Sequence, residues 1–448
     1  MMSDLPKVAH IAAGKPMISW VLDAFAPLQA DTTVVVLGHG SDVVRELIPS
    51  GVVTAVQEQQ LGTGDAAAVG LGAISALDDD DTVVVAYGDM PLLGTTLLSD
   101  LARLPEDVAA RMVTSVFADP TGYGRVIRTD AGAVVGIVEE SDCSPAQRAI
   151  SEINAGAYGF AAGDLRTALE ELNSANAQGE FYLTDVVGIL TRRGRRIEPV
   201  AAAPEEVVGI NSQDQLAQAT RLLQRRAAAT LVEAGVWILD PDRTYIDPSV
   251  VVEAGARIYP GSLLEGETVV KAGARVGPDV TIVDSTIGEG STVWYAVLRG
   301  ATVGSNCEIG PFASLRPGTV IADGAKVGTF VETKNAVLGE GSKAGHLTYL
   351  GDVKVGRNTN IGAGTVTVNY DGVEKHETEI GDEVFIGSDT MLVAPVRIGD
   401  RATTGAGSVI TEDVNDDALA LERAEQKEIP GYSERRERRR AAKRKAED

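Results

Sequence analysis

The sequence predicts two unlike parts: an α/β domain, followed by a left-handed parallel β-helix. Up to about residue 212, short β-branched runs alternate with helical stretches, which is typical of an α/β fold. From Trp237 onward, single aliphatic residues recur every six positions and glycine often follows them, which is the signature of a hexapeptide β-helix. Aromatic residues make up only 4% of the chain and 49 of its 448 residues are glycine, which also favours a thin, repetitive β architecture.

The first part carries the strand and helix signals of a layered α/β domain. We predict strands over Thr33–Gly38, Val52–Gln57 and Thr82–Asp89, and helices over Pro16–Phe25 and Asp65–Leu77. This alternation predicts a mainly parallel sheet, in which ligands lie beyond the carboxyl ends of the strands. We therefore assign residues 1–212 to this domain. Residues 213–235 form a linker helix in this scheme, because they contain a long run with helical apolar spacing and no proline.

The second part, residues 236–420, carries the repeat. The aliphatic positions expected to point inward are Ile246, Val252, Ile258, Leu264, Val270, Val276, Ile282, Val303, Ile309, Leu315, Ile321, Val327, Ile380, Ile386, Leu392, Ile398 and Ile410. We expect bulged or looped coils at the two breaks, Thr286–Thr302 and Asn369–Thr378, and loops are where solenoids usually carry function. The flat faces of such solenoids commonly pack around a three-fold axis, so we predict a homotrimer.

Charge and composition exclude several classes of protein. The net charge of −24 argues against nucleic-acid binding by the body of the chain. Residues 421–448 form a C-terminal segment with a basic tail of unknown role. No apolar run approaches the roughly 18 residues of a membrane span, and there is no apolar signal core. Two distant cysteines, Cys143 and Cys307, fit a reducing compartment, so we predict a cytoplasmic protein.

Several motifs in the first part have residue types suited to phosphate chemistry. Asp89 in YGDMPL follows an apolar strand, where a carboxylate is a suitable magnesium ligand, although a turn or helix-cap aspartate is the alternative. The turn within Gln57–Ala66 offers backbone N–H groups to a base or phosphate, and Lys7 in SDLPKV offers a cation. The segments TGYGR, IVEE, EINAG and VGINS are each, taken alone, compatible with ordinary turns.

The second part contains a sharper cluster where the repeat is interrupted. Arg316, Lys334, Lys343 and Lys354 bring positive charge to an acidic chain. His346 lies among them in the sequence, and a neutral imidazole is the natural base near pH 7. A solvent-exposed histidine without a role is the alternative.

Taken together, the motifs resemble one enzyme family along nearly the whole chain. LGTG, YGDMPL, GYGR, EINAG, SKAGHLTYLGD, NIGAGT and NYDG occur in the order of the bifunctional N-acetylglucosamine-1-phosphate uridyltransferase/glucosamine-1-phosphate N-acetyltransferases. The resemblance implies a Rossmann-like nucleotidyltransferase domain before a left-handed β-helix. It also implies acetyl transfer from acetyl-CoA to glucosamine-1-phosphate, then uridylyl transfer from UTP to the product. Pyrophosphate and UDP-N-acetylglucosamine, a cell-wall precursor, would result.

The resemblance also implies a role for each matching residue. UTP and UDP-N-acetylglucosamine would be bound by Lys7, Gln57, Gly62, Thr63, Tyr87, Gly88, Gly124, Glu139, Asn154 and Asn211, with Asp89 and Asn211 as Mg²⁺ ligands. In the second part, His346 would be the catalytic base. Glucosamine phosphate would be bound by Arg316, Lys334, Tyr349 and Asn360, and acetyl-CoA by Ala363, Asn369, Tyr370, Ser388, Ala406 and Arg423.

One departure from the family pattern concerns the N-terminus. The family has a strand and a Gly-rich loop of the form LAAGxGTRM before SDLPKV, whereas here Met2 stands where that loop would end. We expect the native start to lie upstream, and acetyl transfer to be independent of the missing loop. The alternatives are a related enzyme for another sugar, a chain in which only the acetyltransferase is active, and a non-catalytic subunit that binds nucleotide sugars.

Overall fold

A computed structural model describes residues 1, 3–38 and 41–447. Met2 and the side chain of Lys445 in the basic tail, both used in the sequence argument, lie outside the described residues. The chain divides into two compact units, Met1–Ala227 and Ala228–Asp448. The domain boundaries given above stay a prediction, since the division between units falls inside a continuous helix.

Unit 1 alternates short strands and helices. In chain order they are β1 Ile11–Ala12, β2 Lys15–Pro16, α1 Met17–Phe25, β3 Val34–Leu37, α2 Ser41–Arg45, β4 Val53–Val56, α3 Thr63–Gly72, β5 Thr82–Ala86, α4 Thr95–Ala102, β6 Val108–Val116, β7 Arg125–Arg128, β8 Val134–Val138, α5 Pro145–Arg148, β9 Glu152–Ala161, α6 Ala162–Leu169, α7 Asp185–Arg192, β10 Arg196–Ala201 and α8 Gln213–Glu233. Single 3₁₀ turns cover Lys7–Ala9, Ala26–Leu28, Glu140–Asp142 and Pro204–Glu206.

The sheet of unit 1 is mixed, so the expectation of a mainly parallel sheet is wrong. Strand β9 is antiparallel to β5, β6 and β7, and β7–β8 is a hairpin, whereas β6–β10 and β3–β4 are parallel. Within the described residues, β3–β4 form a two-stranded sheet separate from the six-stranded one. The physical reason is the connection between β6 and β9, which holds a hairpin and one short helix instead of the crossover helix that parallel neighbours need.

Unit 2 consists of short strands and one terminal helix. The strands are β11 Trp237–Ile238, β12 Tyr245–Ile246, β13 Val251–Val252, β14 Arg257–Ile258, β15 Leu263–Glu265, β16 Val269–Val270, β17 Arg275–Val276, β18 Thr281–Val283, β19 Thr286–Ile287, β20 Thr292–Val293, β21 Val297–Arg299, β22 Thr302–Val303, β23 Glu308–Ile309, β24 Ser314–Leu315, β25 Val320–Ile321, β26 Lys326–Thr329, β27 Glu332–Leu338, β28 Lys343–His346, β29 Tyr349–Val355, β30 Asn360–Ile361, β31 Val366–Val368, β32 Thr378–Ile380, β33 Phe385–Ile386, β34 Met391–Val393, β35 Val396–Ile398, β36 Thr403–Thr404, β37 Val409–Ile410 and β38 Leu419–Ala420. A 3₁₀ turn covers Pro241–Arg243 and helix α9 covers Tyr432–Glu447.

These strands form the left-handed β-helix that the repeat predicts. Each strand pairs in parallel with the strand one coil further on, as Ile258 does with Val276 and Ile309 with Val327. The inward aliphatics are buried and join in one continuous core that extends along the solenoid. Their outward neighbours are more exposed, because successive side chains of a strand point to opposite faces.

The two predicted breaks have different outcomes. Thr286–Thr302 is not a loop, because Ile287, Val293 and Leu298 are fully buried on regular strands. The inward residues there are spaced by five or six positions, so the side of a coil can shorten by one residue without a loop. Asn369–Thr378 does hold a loop between β31 and β32, and it lengthens the interval from Ile361 to its partner Ile386 one coil further on.

Two further predictions from composition are compatible with this fold. Both Cys143 and Cys307 are buried and unpaired. Among the residues that the structure describes, no helix has the length and apolar character needed to cross a lipid bilayer.

The alternation of inward and outward side chains predicts that truncating an inward residue lowers stability more than truncating its outward neighbour. Leu298 is fully buried and in register with Ile282 and Leu315. Leu298→Ala removes buried methyl groups and leaves a cavity, so we expect the free energy of unfolding to fall by about 2–5 kcal/mol. Val297→Ala, on the outward side of the same strand, is the matched control and should cost less than half as much. Guanidinium unfolding followed by circular dichroism measures the free energy of unfolding of both variants. Equal decreases in the two variants would contradict the inward orientation of Leu298.

Candidate functional site

Unit 1 has a cavity of about 190 Å³ at the ends of β5, β7, β8 and β9. Its lining consists of Tyr87, Asp89, Met90, Gly122, Tyr123, Gly124, Glu139, Asn154, Ala155, Gly209 and Asn211. Six predicted site residues are therefore brought together here, from segments up to 124 positions apart in the sequence: Tyr87, Asp89, Gly124, Glu139, Asn154 and Asn211. The sequence analysis did not single out Tyr123 or Gly209, although both belong to motifs it quoted, GYGR and VGINS.

Lys7 joins the two predicted magnesium ligands. Its Nζ forms an ion pair with the Oδ2 atom of Asp89 and donates a hydrogen bond of 2.8 Å to the Oδ1 atom of Asn211. The other carboxylate oxygen of Asp89, Oδ1, is buried and has no hydrogen-bond partner among the described residues. Two hard oxygen donors thus converge on one positive charge, and a third oxygen is available.

The oxygens of Asp89 and Asn211 show whether this group of residues suits Mg²⁺. Mg²⁺ is commonly held by one or two protein oxygens, with substrate phosphates and water as its remaining ligands. The orphaned Oδ1 atom of Asp89 and the nearby Oδ1 atom of Asn211 match that donor set. Within the described part of the chain, no cluster of three or more His, Cys, Asp or Glu side chains suits a metal ion. The residues therefore fit a metal that phosphates help to bind, and not an all-protein cage.

Burial controls the charge of the other polar groups in the cavity. Burial raises the pKa of Tyr87 to about 12, with the nearby Glu139 charge as the second cause, so the phenol is a neutral hydrogen-bond donor at pH 7. Burial also raises the pKa of Glu139, whose Oε1 atom accepts a hydrogen bond of 2.9 Å from Thr184. Gly124 leaves room for that carboxylate, because a Cβ atom there would lie 3.3 Å from both of its oxygens.

The remaining predicted residues of unit 1 lie outside the cavity lining. Gln57 donates to the Gly62 carbonyl at 3.1 Å and to Asp65 at 2.7 Å, which closes the turn before α3. The Thr63 hydroxyl accepts a hydrogen bond of 3.0 Å from the Leu183 N–H. Gly88 packs against Ile18, whose Cδ1 atom would lie 3.0 Å from an added Cβ. The Thr63 side chain also hydrogen-bonds with Tyr87, so the turn adjoins the cavity lining.

In unit 2, His346 begins a column of equivalent positions on successive coils. Thr329 pairs with His346 on neighbouring strands. On later coils, the Ala363 carbonyl accepts a hydrogen bond from the N–H of Asp389, which follows Ser388. The Ser388 carbonyl in turn accepts one from the N–H of Gly407, which follows Ala406. The glycines before Ala363 and Ser388 leave no room for a side chain, since a Cβ on Gly362 or Gly387 would lie 2.5 or 2.6 Å from the next coil, whereas Gly345, before His346, has open space around it. At the far end, Arg423 donates a hydrogen bond of 3.2 Å to the Ala406 carbonyl. The predicted residues Ala363, Ser388, Ala406 and Arg423 therefore follow His346 along one corner of the solenoid.

A group of cations lies on the face next to that corner. Arg316 forms an ion pair of 2.8 Å with Glu332, which is in register with Tyr349, and Lys334 is in register with Gly351. The Tyr349 ring extends over Gly351, where an added Cβ would lie 2.4 Å from the phenol oxygen. Asn360 is apart from this group, because it pairs with Lys343 on the strand face that carries His346. The ring of His346 makes no hydrogen bond to any residue that the structure describes.

The sequence analysis missed Lys375, which joins this group from the Asn369–Thr378 loop. Its ammonium group lies close enough to lower the pKa of Lys334 through hydrogen bonding and charge repulsion. The loop is closed by a bridge between Tyr370 and Lys375, so Lys375 lies beside predicted site residues. A lysine in a loop of polar residues gives no signal by itself, and only the folded loop brings it beside Lys334.

The same loop carries the predicted residues Asn369 and Tyr370. Asn369 donates to the Oδ2 atom of Asp352, and the Tyr370 hydroxyl donates to the Gly372 carbonyl at 2.7 Å. Asp371 closes the loop by accepting hydrogen bonds from the N–H groups of Val373 and Glu374 and from the His376 ring, at 2.7–2.8 Å. Asp371 thus fixes the loop that brings Lys375 and Asn369 to the site.

An exposed ridge of large apolar side chains runs along one corner of the solenoid. The Phe312 ring stacks on Phe330 and is tilted against Tyr295, with ring centroids 5.5 and 5.7 Å apart, and Leu347 continues the row next to His346. The side chains are 42–62% exposed, and all four residues have a left-handed backbone. Exposed apolar surface of this kind commonly marks a contact with another protein chain.

Comparison with known proteins shows similarity over both units. Residues 2–229 match the MobA-like NTP transferase domain family, and residues 377–412 match the bacterial transferase hexapeptide repeat. The chain is 45% identical to the bifunctional protein GlmU of Caldanaerobacter subterraneus subsp. tengcongensis, over 97% of this chain and 95% of that protein. It is 46% identical to the bifunctional protein GlmU of Mycolicibacterium vanbaalenii, over 97% of this chain and 90% of that protein. It is also 46% identical to the bifunctional protein GlmU of Alkalilimnicola ehrlichii, over 96% of this chain and 93% of that protein.

The geometry of the Asn369–Thr378 loop predicts its response to pH. Hydrogen bonds from the Glu374 N–H, the His376 ring and the Val373 N–H hold the pKa of Asp371 far below its ordinary value near 3.9. A depressed carboxyl pKa stabilises the folded loop above the ordinary value and loses that effect as pH falls through the folded value. Loop amides should therefore stay protected from hydrogen exchange at pH 5 and pH 7, and lose protection below about pH 3.

Asp371→Asn should remove that protection at every pH, because a neutral amide is a weaker acceptor for the same three donors. Glu374→Gln is the matched control, since it makes the same charge change in the loop without touching those hydrogen bonds. Hydrogen exchange with mass spectrometry, corrected for intrinsic rates, gives the measurement. Equal loss of protection in both variants would contradict the role of Asp371.

Proposed function

The chain belongs to the family of bifunctional GlmU proteins, and on that premise we propose that it catalyses two successive transfers in the synthesis of UDP-N-acetylglucosamine. Unit 2 transfers an acetyl group from acetyl-CoA to glucosamine-1-phosphate, and unit 1 transfers a uridylyl group from UTP to N-acetylglucosamine-1-phosphate. The observation that carries the proposal is the presence of two separate sites on one chain: a cavity with converging oxygen donors beside a lysine, and a histidine beside a cluster of cations.

In unit 1, the proposed reaction is an in-line displacement at phosphorus. A phosphate oxygen of the sugar phosphate attacks the α-phosphorus of UTP, the bond from that phosphorus to the bridging oxygen breaks, and pyrophosphate leaves. Lys7 neutralises developing negative charge, while Glu139 and Asn154 orient the sugar, and Tyr87 donates a hydrogen bond as a neutral phenol. The turn of Gln57, Gly62 and Thr63, with Gly88, holds the uridine nucleotide.

Mg²⁺ is part of this proposal. Asp89 and Asn211 would hold the ion, because their oxygens already converge and one oxygen of Asp89 has no partner among the described residues. When bound, the ion would supply neutralisation of the phosphate charge. Lys7 would then hold a phosphate oxygen with the same ammonium group that contacts both ligands.

In unit 2, the proposed reaction is acyl transfer to an amine. The 2-amino nitrogen of glucosamine-1-phosphate attacks the thioester carbonyl carbon, His346 accepts a proton from that nitrogen, and the carbon–sulfur bond breaks to release coenzyme A. Arg316, Lys334 and Lys375 bind the sugar phosphate, and Tyr349 and Asn360 orient the sugar. Acetyl-CoA extends along the column of Ala363, Ser388 and Ala406 toward Arg423, with Asn369 and Tyr370 at its side.

The assembly that we propose is a homotrimer. The apolar ridge of Tyr295, Phe312, Phe330 and Leu347 supports it, because a cyclic three-fold contact would bury this ridge in every copy. The ridge ends beside His346, so a neighbouring copy would close the open side of the acetyl-transfer site. The proposed location is the cytoplasm, a reducing compartment where two buried, unpaired cysteines stay as thiols.

Paired single-site variants test the two activities. His346→Ala should abolish coenzyme A release from acetyl-CoA and glucosamine-1-phosphate, because the attacking amine then has no base to accept its proton. Asp89→Asn should lower pyrophosphate release from UTP and N-acetylglucosamine-1-phosphate by about 100-fold or more, through loss of the charge that neutralises Lys7 and binds Mg²⁺. Each variant should retain the other activity and so serves as the folding control. Acetyl transfer retained by His346→Ala, or no pyrophosphate release by the parent protein, would overturn the corresponding half.

The trimer is tested at the apolar ridge. Phe312→Asp combined with Phe330→Asp adds two charges per copy to the proposed contact, so light scattering should show monomers where the parent chain gives trimers. Acetyl transfer should fall with the trimer, while pyrophosphate release should not. Val251→Asp is the control, because Val251 is about as exposed, at 53%, on another strand face of the solenoid. A trimer that survives the double substitution would exclude the ridge as the contact.

A further inference from the structure

A fully buried guanidinium lies behind the cavity of unit 1. The side chain of Arg125 is only 1% exposed, and its Nη2 atom lies 2.7 Å from the Oε2 atom of Glu140. The Nη1 atom donates to the Tyr123 carbonyl, and Nη2 also donates to the Arg148 carbonyl at 3.4 Å. Neither Arg125 nor Glu140 lines the cavity, and the proposed reaction uses neither of them.

The partners of Arg125 come from three segments that each lead into the cavity wall. Tyr123 and Gly124 directly precede Arg125, and Glu139 directly precedes Glu140. Arg148 ends α5, and the chain then enters β9, which carries Asn154. Arg125 is also in register with Ile153, and the Asn154 N–H donates to the Gly124 carbonyl at 2.8 Å. One side chain therefore ties the backbone beside Tyr123, Glu139 and Asn154.

The ion pair of Arg125 and Glu140 is not explained by a gain in stability. An ion pair with a fully buried guanidinium contributes little net stability, because the desolvation of Arg125 offsets its attraction to Glu140, whose side chain is 32% exposed. Arg125 also leaves its Nε atom buried and without a hydrogen-bond partner among the described residues. The neighbouring ion pair joins Arg128, on the same strand as Arg125, to Glu152 at the start of β9. The Arg128 side chain is 31% exposed, and neither residue lines the cavity. Stability alone therefore does not explain why the guanidinium is buried at this point.

We propose that Arg125, paired with Glu140, is a positioning residue that holds Tyr123, Glu139 and Asn154 in the arrangement that binds the amino-sugar phosphate. The inference rests on the proposed uridylyl transfer. Glu139 has little freedom to adjust, since it is wedged between Gly124 and the Thr184 hydroxyl. Among the described residues, no hydrogen bond or ion pair joins Arg125 or Glu140 to the turn of Gln57–Thr63, which we assign to the nucleotide. Loss of the pair should therefore weaken sugar-phosphate binding and spare UTP.

Steady-state kinetics on the full chain test this role. Arg125→Lys keeps the charge but lacks the planar fork that reaches a carboxylate and two carbonyls, and Glu140→Gln keeps the shape without the charge. We expect the KM for N-acetylglucosamine-1-phosphate to rise roughly 10- to 100-fold in Arg125→Lys, and less in Glu140→Gln, as a displacement of about 1 Å can cost 100-fold. The KM for UTP should change less than about twofold. Arg128→Met is the matched control and should leave both KM values unchanged.

Three outcomes would overturn the inference. Unchanged sugar-phosphate KM values in variants that fold would show that the pair only stabilises unit 1. Equal increases for both substrates, or loss of the unit 1 fold in both variants, would show that the pair supports the domain as a whole. Acetyl transfer in the same samples reports on the integrity of unit 2. If the parent chain releases no pyrophosphate, it is the proposed uridylyl transfer that fails, so the two failures are distinguishable.

Discussion

The structure of unit 2 depends on one repeated interaction, the packing of an inward aliphatic side chain against its equivalents on the coils before and after it. These contacts form a single core that extends along the solenoid. Since side chains on a strand alternate between faces, a slip of one residue would turn the whole row outward. The side of a coil can therefore lose a residue at a corner, as it does between Thr286 and Thr302, but it cannot lose its inward residue.

The candidate acetyl-transfer site is a geometric consequence of that register. Because equivalent residues stack at the same corner of every coil, His346, Ala363, Ser388 and Ala406 form a continuous column although 60 positions separate the first from the last. The glycines before Ala363 and Ser388 are required by the close approach of the next coil, whereas Gly345, before His346, has open space around it. The Asn369–Thr378 loop interrupts the repeat and brings Lys375 to Lys334, a contact that the regular coils do not provide.

The elements that could be predicted from the sequence are those whose cause is local. The six-residue interval predicted the β-helix because each inward aliphatic obeys the same rule, and the helical spacing of residues 214–234 agrees with α8. The direction of β9 could not be predicted, because it depends on how the chain returns after a hairpin. The roles of Lys375, Arg125 and Asp371 were missed for a similar reason. Each acts through partners that only the folded backbone brings near, and no residue type marks them in advance.

The two candidate sites solve opposite electrostatic problems. In unit 1, burial and neighbouring carboxylates favour neutral groups, as the raised pKa values of Tyr87 and Glu139 indicate, and Lys7 supplies the only positive charge in contact with Asp89 among the described residues. In unit 2, Lys334 and Lys375 lie close together on an exposed face, and the hydrogen bond and charge repulsion between them lower the pKa of Lys334. A phosphate would relieve that repulsion, and a cation would complete the oxygen set beside Lys7. The cations of unit 2 therefore favour binding of the sugar phosphate, and the oxygens beside Lys7 favour binding of Mg²⁺.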